Sequence, residues 1–147
     1  MDAMKLATEQ AHLASSKEEV PIGAVILKDG KVVAKAHNLR ETDQIATHHA
    51  EVLAIEKACK KLKSWRLDDC DIYVTLEPCP MCAGAILNAR LHAVYYAVAD
   101  KDNGAISKFN MLNNTLNHTT ESFFLSEYEQ ENKILIQKFF KEKRRYK

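Results

Sequence analysis

Apolar residues recur at helical spacing at the start of the chain, at Met4, Leu6, Ala7, Ala11, Leu13 and Ala14, which predicts an opening helix over residues 1–17 that ends at Pro21. The period then changes. GAVILKDGKVVAKAHN (23–38) is two apolar runs around the turn dipeptide Asp29-Gly30, the pattern of a hairpin. HHAEVLAIEKACKKLK (48–63) returns to helical spacing, with Val52, Leu53, Ile55, Ala58, Cys59 and Leu62 inward and lysines outward. DIYVTL (71–76) is a β-branched and aromatic strand, and PMCAGAILNAR (80–90) is a helix with Pro80 in its first turn, where a missing N–H costs least.

HAVYYAVA (92–99) is a further strand, followed by an Asn-rich loop from about Asp100 to His118. TESFF (120–124) reads as a last strand. Ser126 and Glu129 form S-x-x-E, a capping-box signature for a closing helix. Strands alternating with helices predict an α/β fold of three layers, α/β/α. Its centre is a mixed sheet of about five strands with an antiparallel hairpin at one side and helices on both faces. At 147 residues, with no repeat, low-complexity linker or shift in composition, residues 1–147 are expected to form one domain.

Composition narrows the picture little: 46% hydrophobic and 28% charged residues are ordinary globular usage. No apolar run approaches the ~18–20 residues that cross a bilayer. The N-terminus carries an acid at Asp2 and no continuous apolar core, so a secretory signal is not expected and the reducing cytoplasm is the default compartment. Net charge is +1, but its distribution is uneven. From Lys133 to Lys147 seven basic residues face only Glu142, giving +6 on a body of −5. Such a tail is either a footprint for a polyanion or a solvated helix end whose cations offset the helix dipole.

The chemistry concentrates where two helices begin. One start carries His48, His49 and Glu51; the other carries Cys79 and Cys82 in P-C-x-x-C. That cysteine spacing serves disulfides, redox dithiols, metal clips and plain packing. In a reducing compartment close cysteines favour metal or catalysis. The i, i+3 spacing puts both sulfurs on one side of a first helical turn, where exposed N–H groups favour thiolate. A redox dithiol would leave the His/Glu cluster at the sister turn unexplained.

One imidazole would complete three protein ligands, the number that leaves a catalytic zinc a position for water. Zinc lowers the pKa of such a water from 15.7 to about 7. Glu51 is suited to carry protons beside the metal without being a ligand. His48 competes with His49 as the imidazole. Cys59 on the apolar stripe and Cys70 before a strand read as packing. His49-Ala50-Glu51 followed by Pro78-Cys79-Pro80-Met81-Cys82 is the H-x-E…P-C-x-x-C signature of zinc nucleobase deaminases.

With those motifs in place, the chain resembles the bacterial tRNA-specific adenosine deaminases of the cytidine deaminase-like superfamily, from about Met4 to Arg145. The densest matches are EVPIGAV (19–25), His37-Asn38, His49-Ala50-Glu51, Trp65-Arg66-Leu67 and YVTLEPCPMCAGA (73–85). The resemblance implies one zinc on His49, Cys79 and Cys82, with Glu51 as proton shuttle. It implies Asn38 hydrogen-bonding a flipped base and Asp100 lying against the ribose-phosphate. It also implies a terminal helix whose Phe140, Lys141, Arg144 and Arg145 touch an anticodon stem-loop.

The implied reaction is hydrolytic deamination of adenosine to inosine at the wobble position of a tRNA anticodon, by a cytoplasmic homodimer with no membrane partner. Ala46-Thr47-His48 departs from the family's usual Pro-Thr-Ala before the ligand histidine, so His48 is an added titratable group. Guanine deaminases share the metal site and often P-C-P-M-C, and are the nearest alternative. The AGA continuation and the basic tail argue against them. Free-nucleoside cytidine deaminases, and a zinc-stabilised RNA-binding module with no need of Glu51, are further alternatives.

Overall fold

The computed structural model describes residues 2–113 and 116–145, with the backbone alone for Arg144 and Arg145. Asp2 caps the first helix, α1 (Ala3–Ser16), its side chain accepting the Lys5 N–H at 3.1 Å. The hairpin follows as β1 (Gly23–Lys28) and β2 (Lys31–His37). Its two-residue turn has positive φ at both Asp29 (51°) and Gly30 (75°), the twist that suits right-handed strands. Next come α2 (Arg40–Asp43), α3 (Ala50–Leu62), β3 (Cys70–Leu76), α4 (Pro80–Asn88), β4 (Ala93–Val98) and β5 (Glu121–Phe124). A 3-10 turn (Ser126–Tyr128) then leads into α5 (Glu129–Arg145).

The five strands form one sheet in the order β2-β1-β3-β4-β5. Pairing is antiparallel through β2-β1-β3 and parallel through β3-β4-β5, so the sheet is mixed as predicted. Strands β1 to β4 feed two cores, one on each face of the sheet, whereas β5 is exposed along its length. On one face Ala24, Ile26, Ile72, Val74 and Val94 pack against Ala54 and Ala58 of α3 and Ala83, Ile86 and Leu87 of α4. On the other, Val25, Ala97 and Val98 pack against Ala3, Met4 and Ala7 of α1, and α5 lies against α1, β3 and β4. Gly23 lets α1 approach closely, because a Cβ there would run into the Ala7 carbonyl oxygen and the Ala11 nitrogen. The architecture is three-layer α/β/α.

Several local expectations need correction. Pro21 does not end α1. The helix closes earlier, with Glu18 left-handed (φ 60°) and the Glu18 and Glu19 N–H groups returning to the Ser15 and Ala14 carbonyls at 3.0 and 2.9 Å. The closing helix does not begin at Ser126; the 3-10 turn occupies that stretch and α5 starts at Glu129. The buried stripe of α3 is Ala50, Glu51, Ala54, Ile55 and Ala58. Val52, Leu53, Cys59 and Leu62 are only half-buried, and Leu53, Cys59 and Leu62 pack against the margin of the core rather than within it.

Candidate active site

His49 and Cys79 hold equivalent posts, each the residue just before a helix. Both have extended backbone (φ −75°, ψ 155° and φ −75°, ψ 171°), and neither side chain caps its own helix. An uncommitted side chain at that position can serve another partner. Pro80 follows Cys79 as the first helical residue, and Cys82 lies fully buried one turn in. Contacts between α3 and α4 bring the two starts together. His49 Nδ1 lies 3.5 Å from Cys82 Sγ and 3.8 Å from Cys79 Sγ, and the three ligand atoms fall within 4.8 Å of one another.

Those spacings can be tested against a metal. Zinc–nitrogen and zinc–sulfur bonds of about 2.05 and 2.3 Å at tetrahedral angles place N and S about 3.6 Å apart. The observed 3.5 and 3.8 Å match that spacing. The chain therefore contains a His/Cys/Cys group that could hold a zinc-sized ion through three protein ligands. His48 is not part of it. Its Nδ1 pairs with Asp43 Oδ2 at 2.7 Å, tying α2 to the start of α3. Cys70 is buried in the core, and Cys59 packs beside Trp65, away from the cluster.

The electrostatics are those of a closely packed acid–base cluster. The Cys82 thiol, followed by His49, stabilises the Cys79 thiolate and brings its pKa down to about 4. The Cys82 thiol is pushed up, first by holding its proton toward Cys79 and then by burial. Hydrogen bonding to Cys79 raises His49 above its ordinary value. Glu51, only 4% exposed, is pushed up to about 7 by burial. A carboxyl poised near neutrality beside such a His/Cys/Cys group is suited to taking and giving protons.

Asn38, at 6% exposure, lines a cavity of about 270 Å³ together with Glu19, Ile22, Arg40, His49 and Ala50. Its Oδ1 accepts the Arg40 N–H at 2.9 Å. Asp100 lies in an adjoining cleft of about 440 Å³ with Lys101, Lys133, Gln137 and Phe140, and Val20 belongs to both walls. Phe140 and Lys141 are exposed on α5, and Phe139 packs edge-on against Phe140. Arg144 and Arg145 close that helix, and their side chains lie outside the described residues.

Two residues that the motifs do not single out also shape the site. Glu19, 1% exposed, accepts the Thr42 N–H (2.5 Å), the Thr42 hydroxyl (2.6 Å) and the Glu41 N–H (3.1 Å), holding α2 over the Asn38 cavity. Glu77, 2% exposed, receives the N–H groups of Asp100, Ile106 and Ser107. The available signal was an acid inside an otherwise apolar motif, EVPIGAV in one case and TLEPC in the other.

Residues 1–144 match the family of MafB19-like deaminases. The tRNA-specific adenosine deaminase of Bacillus subtilis (strain 168) is 52% identical over 101 residues, 69% of this chain and 63% of that protein, so the match spans less than two thirds of that relative's length. That of Aquifex aeolicus (strain VF5) is 42% identical over 145 residues, 96% of this chain and 93% of that protein. The chain belongs to the tRNA-specific adenosine deaminase family.

A solved structure from a study of A-to-I editing by tRNA:A34 deaminases superposes with a TM-score of 0.85 at 37% identity, covering 90% of this chain and 97% of that one. A guanine deaminase from Bacillus subtilis superposes less well, with a TM-score of 0.67 at 35% identity over 91% and 93% of the two chains. The tRNA-specific adenosine deaminase family is thus favoured over the guanine deaminase alternative. The three-layer fold expected from the motifs is borne out, and so is the resemblance itself.

Proposed function

We propose that the chain hydrolyses adenosine to inosine at the wobble position of a tRNA anticodon, with release of ammonia. His49, Cys79 and Cys82 hold one zinc per chain, and Glu51 carries the protons. The observation behind this reading is the cluster itself: an imidazole and two sulfurs at metal-ligand spacing with a buried carboxyl beside them. The names of the relatives point to the same substrate class.

When bound, zinc supplies water acidic enough to yield hydroxide near neutral pH. The chain's own residues do the rest. The target base leaves its stack to enter the cavity beside His49, because its reacting carbon cannot be reached within a stacked loop. Asn38 spends its carbonyl oxygen on Arg40, which leaves the amide NH₂ to donate to a base acceptor and orient the ring. Glu51 takes a proton from the attacking water and delivers it to N1 of the adenine. The water oxygen bonds to C6, and Glu51 then takes the proton of that new hydroxyl and passes it to the departing amine as the C6–N bond breaks and ammonia leaves.

Asp100 and Phe140 line the adjoining cleft, where the flanking nucleotides lie, and Lys141, Arg144 and Arg145 extend the basic end of α5. Among the described residues no helix is long and apolar enough to cross a membrane. We assign the chain to the cytoplasm, with its substrate, and to a homodimer on the strength of the family resemblance.

The test is incubation with an adenosine-34 anticodon stem-loop, free guanine and free cytidine in parallel, scoring ammonia. Release from the stem-loop alone is expected. Release from guanine or cytidine alone would overturn the substrate, and no release from any would overturn the enzyme.

A further inference from the structure

Glu77 carries a carboxylate that the reaction does not use, and its surroundings say what it does. It follows β3 and stands two residues before Cys79. Its own N–H donates to the Val98 carbonyl at 2.8 Å, which fixes its backbone to the end of β4. Its Oε1 accepts the Asp100 N–H at 3.0 Å and the Ser107 hydroxyl. Its Oε2 accepts the N–H groups of Ile106 at 2.9 Å and Ser107 at 2.7 Å. A carboxylate has about four acceptor sites, and four donors reach this one, so nothing is left with which to bind a metal or move a proton.

All four donors belong to one irregular segment, Asp100–Ser107. Such a segment has no ladder to satisfy its backbone, and this one is wrapped around a single buried anion instead. Two further contacts complete the wrap: Ala105 N–H donates to the Pro78 carbonyl at 2.9 Å, and Gly104 N–H to the Asp100 carbonyl at 2.8 Å. Gly104 passes so close that a Cβ there would be driven into the Glu77 carboxylate. The same segment opens with Asp100 to Asn103, which line the cleft shared with Phe140.

We propose that Glu77 is a positioning residue that locks the substrate-facing loop Asp100–Ser107 onto the turn carrying Cys79, so that the RNA-side and metal-side walls of the site hold one fixed relation. This rests on the reading of the adjoining cleft as the place where RNA lies. Loss of the lock loosens the RNA-side wall and leaves the ligand cluster, which α3 and α4 hold, in place. The signature is therefore a split: KM for the stem-loop rises while zinc content and kcat at saturation stay near those of the parent.

Glu77→Gln keeps the shape but turns an NH₂ toward backbone donors. It should raise KM for an adenosine-34 stem-loop about tenfold or more, the equivalent of losing a buried hydrogen bond to a charged group. Zinc should remain at one per chain, kcat should stay within about threefold, and the amides of Ile106 and Ser107 should exchange faster. Gly104→Ala should show the same split, because its Cβ would drive apart both the Glu77 carboxylate and the Asp100 carbonyl that meet there, and the double variant should add little to either single one. Ser107→Ala, which removes a single donor, should give a smaller rise in the same direction.

If Glu77→Gln does not fold, Gly104→Ala and Ser107→Ala decide by the same readouts. Unchanged KM, unchanged exchange at Ile106 and Ser107, or loss of zinc in the folded variants would overturn the lock. A parent inactive on the stem-loop would instead overturn the functional reading, while exchange in the variants would still report on the lock itself.

Discussion

Asn38 Oδ1 accepts the backbone N–H of Arg40 at 2.9 Å, and that bond fixes which end of the amide the pocket receives. With the oxygen committed, the group presented to a base is a donor. Asn38→Asp keeps the acceptor for Arg40 and removes the donor. It should fold normally, bind the stem-loop with similar affinity, and lose about 10- to 100-fold in single-turnover rate, the range for a buried hydrogen bond left unmade. Single-turnover kinetics beside a binding titration will check this; an unchanged rate would remove Asn38 from contact with the base.

Zinc should be present at one per chain by elemental analysis. Cys79→Ala and Cys82→Ala should lose both metal and activity, because two protein ligands hold the ion poorly. Zinc retained in either variant would strike that cysteine from the ligand set. Glu51→Ala, in contrast, should keep the metal and the fold and lose ~10²–10⁴ in turnover, since it removes a proton carrier and no ligand.

Neutralising Lys141, Arg144 and Arg145 together should weaken binding similarly for any loop sequence and flatten its dependence on salt, because fewer counterions are released on binding. Affinity measured across a salt series distinguishes this from a local effect at the base. A triple variant with the parental affinity and slope would make the basic end of α5 a solvated helix terminus.

Acid should loosen the wall formed by α2. Burial pushes the Glu19 carboxyl up, but the Thr42 hydroxyl and the Thr42 and Glu41 N–H groups outweigh it, so its pKa lies below the ordinary 4.5. A depressed carboxyl contributes stability that is full above 4.5 and is lost as pH falls through the depressed value. The Thr42 amide resonance should report that titration with a midpoint under 4.5. A midpoint at or above 4.5 would mean that the three hydrogen bonds do not favour the charged form.

The elements that carry the His/Cys/Cys group could be read from the sequence because each is announced twice, once by apolar period and once by chemistry. His49 with Glu51 and Cys79 with Cys82 each open an amphipathic segment, and the structure brings His49 to both sulfurs as the paired starts suggest. The short helix α2 and the close of α1 were not readable. α2 is four residues held by Glu19 from across the loop, and α1 ends at a non-glycine in the left-handed region where Pro21 was the more conspicuous stop. Glu77 escaped for a related reason. An acid inside an apolar motif marks the position, but its role stays hidden until the donors that surround it, here from some thirty residues downstream, are known to meet it.

The connection from β4 to β5, residues 99–120, contains no helix among the described residues, although β4 and β5 run parallel. Joining parallel neighbours through a long irregular segment carries a closure entropy of about 2.7 kcal/mol, which the segment's own docking, on Glu77 and through Ala105 and Leu112 in the core, recovers together with that of β5 and α5. The hairpin closes through a tight turn, and helices α3 and α4 occupy much of the connections into β3 and β4. The sheet should therefore nucleate through β1-β2-β3-β4, and β5 with α5 should condense last. The ligand cluster would then be assembled before the basic end is docked. Folding φ-values near zero at Phe123 and Phe124, with higher values at Ile72 and Val94, are the expected result; values near one at both phenylalanines would reverse the order.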